Sequence, residues 1–138
     1  MRRVEIEFVS EQQYHDDRDS SKLKAMGTLQ EIDGVKVISY TEPDEEMGKC
    51  ETVVKIINDH FIEMSRSGVY EANFLIEEGK THPCIYRTPF GEMNMDIVAV
   101  RVNAQIPDCS GKILLCYRIE SNSELIGENN LLMKINEV

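Results

Sequence analysis

Six side chains in this 138-residue sequence are of types that could hold a small molecule: Tyr40, Glu42, Arg66, His82, Tyr86 and Tyr117. A guanidinium can clamp a carboxylate or phosphate through two parallel N–H bonds. Tyrosine hydroxyls can donate to the same group, and Met64, Met93 and Met95 could form a deformable apolar wall around it. The competing reading has a slight general advantage: Glu42 and Arg66 would form an ion pair closing one end of the fold, since buried charges normally pair.

Catalytic chemistry finds less support. The histidines are His15, His60 and His82, in a polar stretch, a turn and a strand, and their spacing matches no metal motif. The run His15-Asp16-Asp17-Arg18-Asp19 fails as a calcium loop, because Lys22 stands where glycine is required and Thr28 where the closing glutamate belongs. No G-x-S-x-G and no phosphate-cradling glycine loop occurs, and no cysteine has an arguable histidine partner. Glu42 with Glu63 would imitate a glycosidase pair only on a strand face that the pattern disfavours. The acidic run Asp44-Glu45-Glu46 reads as solvated loop. The expectation is a protein without metal or cofactor, and not an enzyme.

Cys50, Cys84, Cys109 and Cys116 contain no C-x-x-C pair, so they are expected to be small apolar fillers. Arg2 and Arg3 are followed by alternation rather than a continuous apolar stretch, which is no secretory signal. The expected compartment is therefore the reducing cytoplasm, where thiols stay unpaired. Twenty-five acids against fifteen bases give a net charge of −10, which argues against nucleic acid or an anionic membrane as partner. No apolar run approaches the ~20 residues needed to span a bilayer.

What positions the six residues is period-two alternation. Val4, Ile6 and Phe8 alternate with Arg3, Glu5 and Glu7, which predicts a strand with one wet face. Leu23, Ala25, Gly27 and Leu29 share one side of a second strand. Further strands are predicted over 35–42, 50–57, 61–67, 70–76, 80–88, 93–103, 112–120 and 131–137. No long window carries a 3.6-residue apolar stripe, so long helices are not expected. Ser121-Asn122-Ser123-Glu124 fits a capping box but reads better as plain loop. Residues 12–21 are polar and predict a mobile loop or ragged strand ends.

Ten sequential strands with tight turns must pair mainly with their neighbours. Closing such a meander removes its edges and covers its apolar face, so one all-β domain, a single antiparallel up-and-down β-barrel of 8–10 strands, is preferred to a sandwich. The turns then set the register. Asp33-Gly34 suits a type I′ hairpin and pairs Leu29 with Ile38, Gly27 with Tyr40 and Ala25 with Glu42. Small Ala25 and Gly27 leave room for those two partners. A three-residue Glu77-Glu78-Gly79 loop pairs Ile76 with Lys80, Phe74 with His82 and Ala72 with Cys84. Pairing Thr88 with Gly91 puts Tyr86 opposite Met93 and Cys84 opposite Met95. Both turns agree on one inner face: Tyr70, Ala72, Phe74, Ile76, His82, Cys84, Tyr86, Met93, Met95 and Ile97.

Around Asn58-Asp59-His60, strict alternation offers two faces. Val53, Lys55, Ile57, Ile62, Met64 and Arg66 form the preferred inner one; Thr52, Val54, Ile56, Phe61, Glu63 and Ser65 form the other. Simple alternation also turns Ile85, Val98, Val100 and Val102 outward, where they could make a homodimer patch. A β-bulge in that long strand would instead turn the valines inward, and has at least equal standing.

Ser39-Tyr40-Thr41-Glu42, Gly48, Thr52, Arg66-Ser67-Gly68, Tyr86, Pro89-Phe90-Gly91, the 111–117 strand and Asn130 together resemble the YwiB-like bacterial proteins. These pieces run over about residues 22–138; residues 12–21 match no part of the pattern. The resemblance implies a calycin-like barrel of the lipocalin and fatty-acid-binding type. It brings no reaction, because that family is a domain of unknown function. The sequence thus leads to a barrel that binds a small amphipathic or anionic molecule at Arg66 with tyrosine help. The alternative is a side-chain-filled barrel acting as a scaffold or homodimer.

Overall fold

The structure is a computed structural model that describes residues 1–14, 16–41 and 50–138. Ten strands follow in order: β1 (Arg2–Tyr14), β2 (Asp17–Ile32), β3 (Val35–Thr41), β4 (Cys50–Asn58), β5 (Phe61–Gly68), β6 (Ala72–Glu77), β7 (Thr81–Thr88), β8 (Gly91–Gln105), β9 (Gly111–Ser121) and β10 (Glu124–Glu137). They form one sheet in the order β6-β5-β4-β3-β2-β1-β10-β9-β8-β7, every ladder antiparallel. The first and last strands share a full ladder, so the sheet curls into a nearly closed up-and-down barrel with its seam in mid-chain, between β6 and β7. Among the described residues no helix is long and apolar enough to cross a membrane.

Two predicted turns fix their registers as expected. Asp33 and Gly34 take φ of 52° and 82°, the two positive values of a type I′ turn, and Leu29 pairs with Ile38 and Gly27 with Tyr40. Thr88 pairs with Gly91, Tyr86 with Met93 and Cys84 with Met95. Ser121-Asn122-Ser123-Glu124 is a turn, as preferred: positive φ at Asn122 and Ser123 makes it a second type I′ hairpin. The pairing of Ala25 with Glu42 lies outside the described residues.

Elsewhere strict alternation misplaces side chains. Residues 12–14 and 17–21 are neither a mobile loop nor ragged ends. Glu11 pairs with Ser20, Gln12 with Asp19, Gln13 with Arg18 and Tyr14 with Asp17, extending the β1–β2 hairpin past the core. Backbone ladders need no apolar side chains, so this polar stretch gave no strand signal. At the β4–β5 turn the register shifts between Ile56 and Asn58. The inner face therefore joins Thr52, Val54 and Ile56 to Ile62, Met64 and Arg66, half from each predicted face. A second shift, between Ala99 and Arg101 in β8, realises the bulge reading in part. Val102 and Ala104 turn inward and are buried, Val98 is half-buried and Val100 stays exposed.

The β6–β7 ladder is the largest departure. Gly79 has the expected left-handed φ of 78°, but its loop docks on β8: the Gly79 N–H donates to Ala99 O (2.9 Å), and the Ala99 N–H to Lys80 O (3.1 Å). Along this edge the backbone bridge joins Glu71, just before β6, to Arg87 on β7, and β6 itself has no ladder with β7. Alternation from Arg87 puts Pro83 at the same β7 edge, where it has no N–H to give. The predicted inner parity survives the gap. Ala72, Phe74, Ile76, Cys84, Met95 and Ile97 are buried, and only Met93, at the rim, is exposed.

One end of the barrel is sealed. The Ala104 N–H donates to Asp59 O (2.8 Å), the Glu78 N–H to His60 O (3.0 Å) and the Val102 N–H to Glu78 Oε1 (3.0 Å). Inside it, Ile6, Ile38, Ile62, Ile97, Ile113, Leu115 and Met133 are fully buried, so this part of the lumen is filled. The opposite end, where β1, β3, β5, β7 and β9 terminate, carries the polar side chains.

Candidate functional site

All five tyrosines gather at that end: Tyr14, Tyr40, Tyr86 and Tyr117 near the C-termini of β1, β3, β7 and β9, and Tyr70 just before β6. Odd-numbered strands of a meander run the same way, so the alternation places these phenols around one mouth. Tyr40 is admitted by Gly27 opposite it. A Cβ on Gly27 would lie 2.4 Å from the Ser39 carbonyl oxygen and 3.1 Å from the Tyr40 Cβ. Tyr40 is buried, with its ring 5.0 Å from that of Phe8 and tilted by 56°.

Arg66 sits between Thr52 on β4 and Ala72 on β6. Its Nη1 donates to the Tyr86 hydroxyl at 3.4 Å, from β5 past β6 to β7. Tyr86 is steadied by Tyr70 and Phe74, with ring centroids at 6.0 and 6.2 Å. On the facing wall Tyr117 pairs with Asn129, a polar side chain only 5% exposed. Tyr40, Met64, Arg66, Tyr117, Asn129 and Leu131 bound a cavity of about 280 Å³, which the β1–β2 hairpin overhangs.

Tyr14 anchors that hairpin. A Cβ on Gly127 would lie 2.5 Å from its ring, so the phenol rests directly on the β10 backbone. Burial, and then the proximity of Tyr86 and Asp19, hold the Tyr14 hydroxyl above the usual tyrosine pKa.

Of the six residues singled out by sequence, Tyr40, Arg66 and Tyr117 line one cavity and Tyr86 is bonded to Arg66. Glu42 lies outside the described residues. His82 stands apart, near the sealed end, with Nε2 2.9 Å from Glu77 Oε1 and its ring stacked on Phe61. That contact holds the Glu77 carboxyl below its ordinary pKa, with Lys80 adding to the effect. Glu63 lies opposite Lys55 on the outer face. Asn129, Phe8 and the hairpin residues were not anticipated as site residues. Alternation back from Leu131, Met133 and Ile135 was the available signal for Asn129.

A second concavity, about 800 Å³, follows the seam and includes Asn73, Pro83, Cys84, Arg87, Met95 and Asp96. It offers little chemistry. Burial pushes the Cys84 thiol above its ordinary pKa despite a backbone bond from Asn73, and Arg87 Nε is paired with Glu92 at 3.1 Å. Among the described residues there is no disulfide, and no group of three or more His, Cys, Asp or Glu that could hold a metal ion.

The fold is similar to that in the crystal structure of the ywiB protein from Bacillus subtilis. The TM-score is 0.88 at 17% identity, over 99% of this chain and 92% of that one. No curated protein matches the sequence. The family model described as a domain of unknown function, DUF1934, matches residues 6–133. The YwiB-like resemblance read from the motifs and this match over nearly the whole chain agree, and the chain belongs to the DUF1934 family.

Proposed function

We propose that this barrel is calycin-like in use as well as shape, and holds a small amphipathic ligand with an acidic group at its tyrosine-lined mouth. The observation that carries the reading is the meeting of Arg66, Tyr40, Tyr117 and Asn129 around one cavity, with Met64 and Leu131 as its apolar wall. Ligand sites are mostly apolar with a few convergent polar groups, and this mouth has that composition. The Arg66 guanidinium donates a bond to Tyr86, which fixes where its charge lies in the mouth. Because Tyr86 accepts that bond, its own O–H proton points elsewhere and can reach the same anion. The setting is the reducing cytoplasm, where the buried Cys50 and Cys84 thiols stay reduced.

The test is displacement of an apolar fluorescent probe from the full chain by octanoate. Probe uptake and competition by octanoate are expected for wild type, with competition weakened about tenfold or more in Arg66→Ala, the scale of a lost charge-assisted bond. No uptake, or equal competition in the two proteins, would falsify the reading.

A further inference from the structure

The polarity of the mouth narrows the ligand further, on the premise that the mouth is a ligand site. Phe8 pairs with Leu23, Ser10 with Ser21 and Gln12 with Asp19, and all six share the cavity. Ser10 and Ser21 hydroxyls lie 2.7 Å apart. This wall therefore passes from apolar, through hydroxyl, to amide and carboxylate as it leaves the core. From Leu23 to Asp19 it climbs four residues, roughly 13 Å at ~3.3 Å per residue.

The charges of the lining are opposed. Among the described residues Arg66 is the one basic side chain of the lining, while Asp19 is an acid carried by the overhanging hairpin on the face of Phe8, Ser10 and Gln12. A ligand whose only charge is negative gains at Arg66 but is opposed by Asp19, in a chain that already carries −10. A ligand with a positive group at its far end meets complementary charge at both places.

We propose that the mouth selects a zwitterion: an acid group on Arg66, an ammonium group against Asp19 and Gln12, and an apolar link along Phe8 and Leu23. Asp19 is then the residue that determines specificity, and Arg66 the one that anchors.

The experiment titrates the full chain calorimetrically with octanoate, its ω-amino analogue and octylamine. The ω-amino acid is expected to bind wild type about fivefold more tightly than octanoate, the scale of an exposed ion pair. In Asp19→Asn the ratio should fall to about one, and in Asp19→Lys it should invert. Equal or tighter binding of octanoate by wild type, or a preference that survives Asp19→Asn, overturns the zwitterion while leaving the ligand site in place. Failure of all three compounds to bind overturns the site itself, and the zwitterion with it.

Discussion

The Arg66 guanidinium donates to the Tyr86 hydroxyl over 3.4 Å, tying β5 to β7 at an edge where β6 and β7 form no ladder and Glu71, just before β6, bridges to Arg87. The bond spans the nearly open seam, so one contact both steadies the mouth and positions its cation. It is long for a hydrogen bond, which places its net worth at the low end of the usual ~0.5–1.5 kcal/mol.

Tyr86→Phe should therefore lower stability by only about 0.5 kcal/mol in urea unfolding. It should weaken octanoate competition more visibly, because Arg66 loses the partner that aims it. A variant with wild-type competition would mean that Tyr86 does not position the guanidinium.

Gly27→Ala should cost about 1–3 kcal/mol, the usual scale of overpacking. The added Cβ would meet the Ser39 carbonyl oxygen at 2.4 Å, and that oxygen belongs to the paired backbone of β3. The urea midpoint should fall and the ring of Tyr40 should lose its fixed place in aromatic NMR spectra. An unchanged midpoint would contradict the close approach.

Val100, in the β8 bulge, and Val102, just past it, make a paired test. Val102 is fully buried and Val100 is 57% exposed. Val102→Ala should destabilise by about 2 kcal/mol, from lost transfer energy and an unfilled space, while Val100→Ala stays within about 0.5 kcal/mol. Equal losses would place both residues on one face and remove the bulge.

The pairing of His82 with Glu77 predicts an acid dependence. Its lowered folded-state pKa means that Glu77 contributes its stability in full above its unfolded value near 4.5, and that this is lost as pH falls below it. His82→Ala removes the largest cause and Glu77→Gln removes the group. Both variants should lose stability less steeply than wild type between about pH 5 and pH 3 in urea titrations. Parallel curves for all three proteins would show that the contact does not shift the carboxyl.

Turn chemistry made much of this architecture legible. Asp33-Gly34 and Thr88-Pro89-Phe90-Gly91 each fix a register through backbone angles that few residues adopt, and from them Tyr40, Tyr86 and Cys84 were placed on the inner wall. The bulges at 56–58 and 99–101 were not fixed in the same way, because an extra residue in a strand has no side-chain signature. Thr52 and Val102 illustrate the result: both are fully buried, and simple alternation had put both elsewhere. The polar hairpin failed for another reason. Gln12 and Asp19 pair through their backbones, and their side chains overhang a mouth that exists only once the barrel has closed. The candidate site was therefore visible as separate residues, and the hairpin that overhangs it was not.

The most direct test of the mouth as a ligand site is backbone amide chemical-shift mapping of the full chain during titration with octanoate. Saturable shifts should cluster at Tyr40, Met64, Arg66, Tyr117 and Asn129, with His82 and Glu77 at the sealed end unmoved. Shifts confined to Asn73, Cys84 and Asp96 along the seam, or none at saturating octanoate, would contradict it.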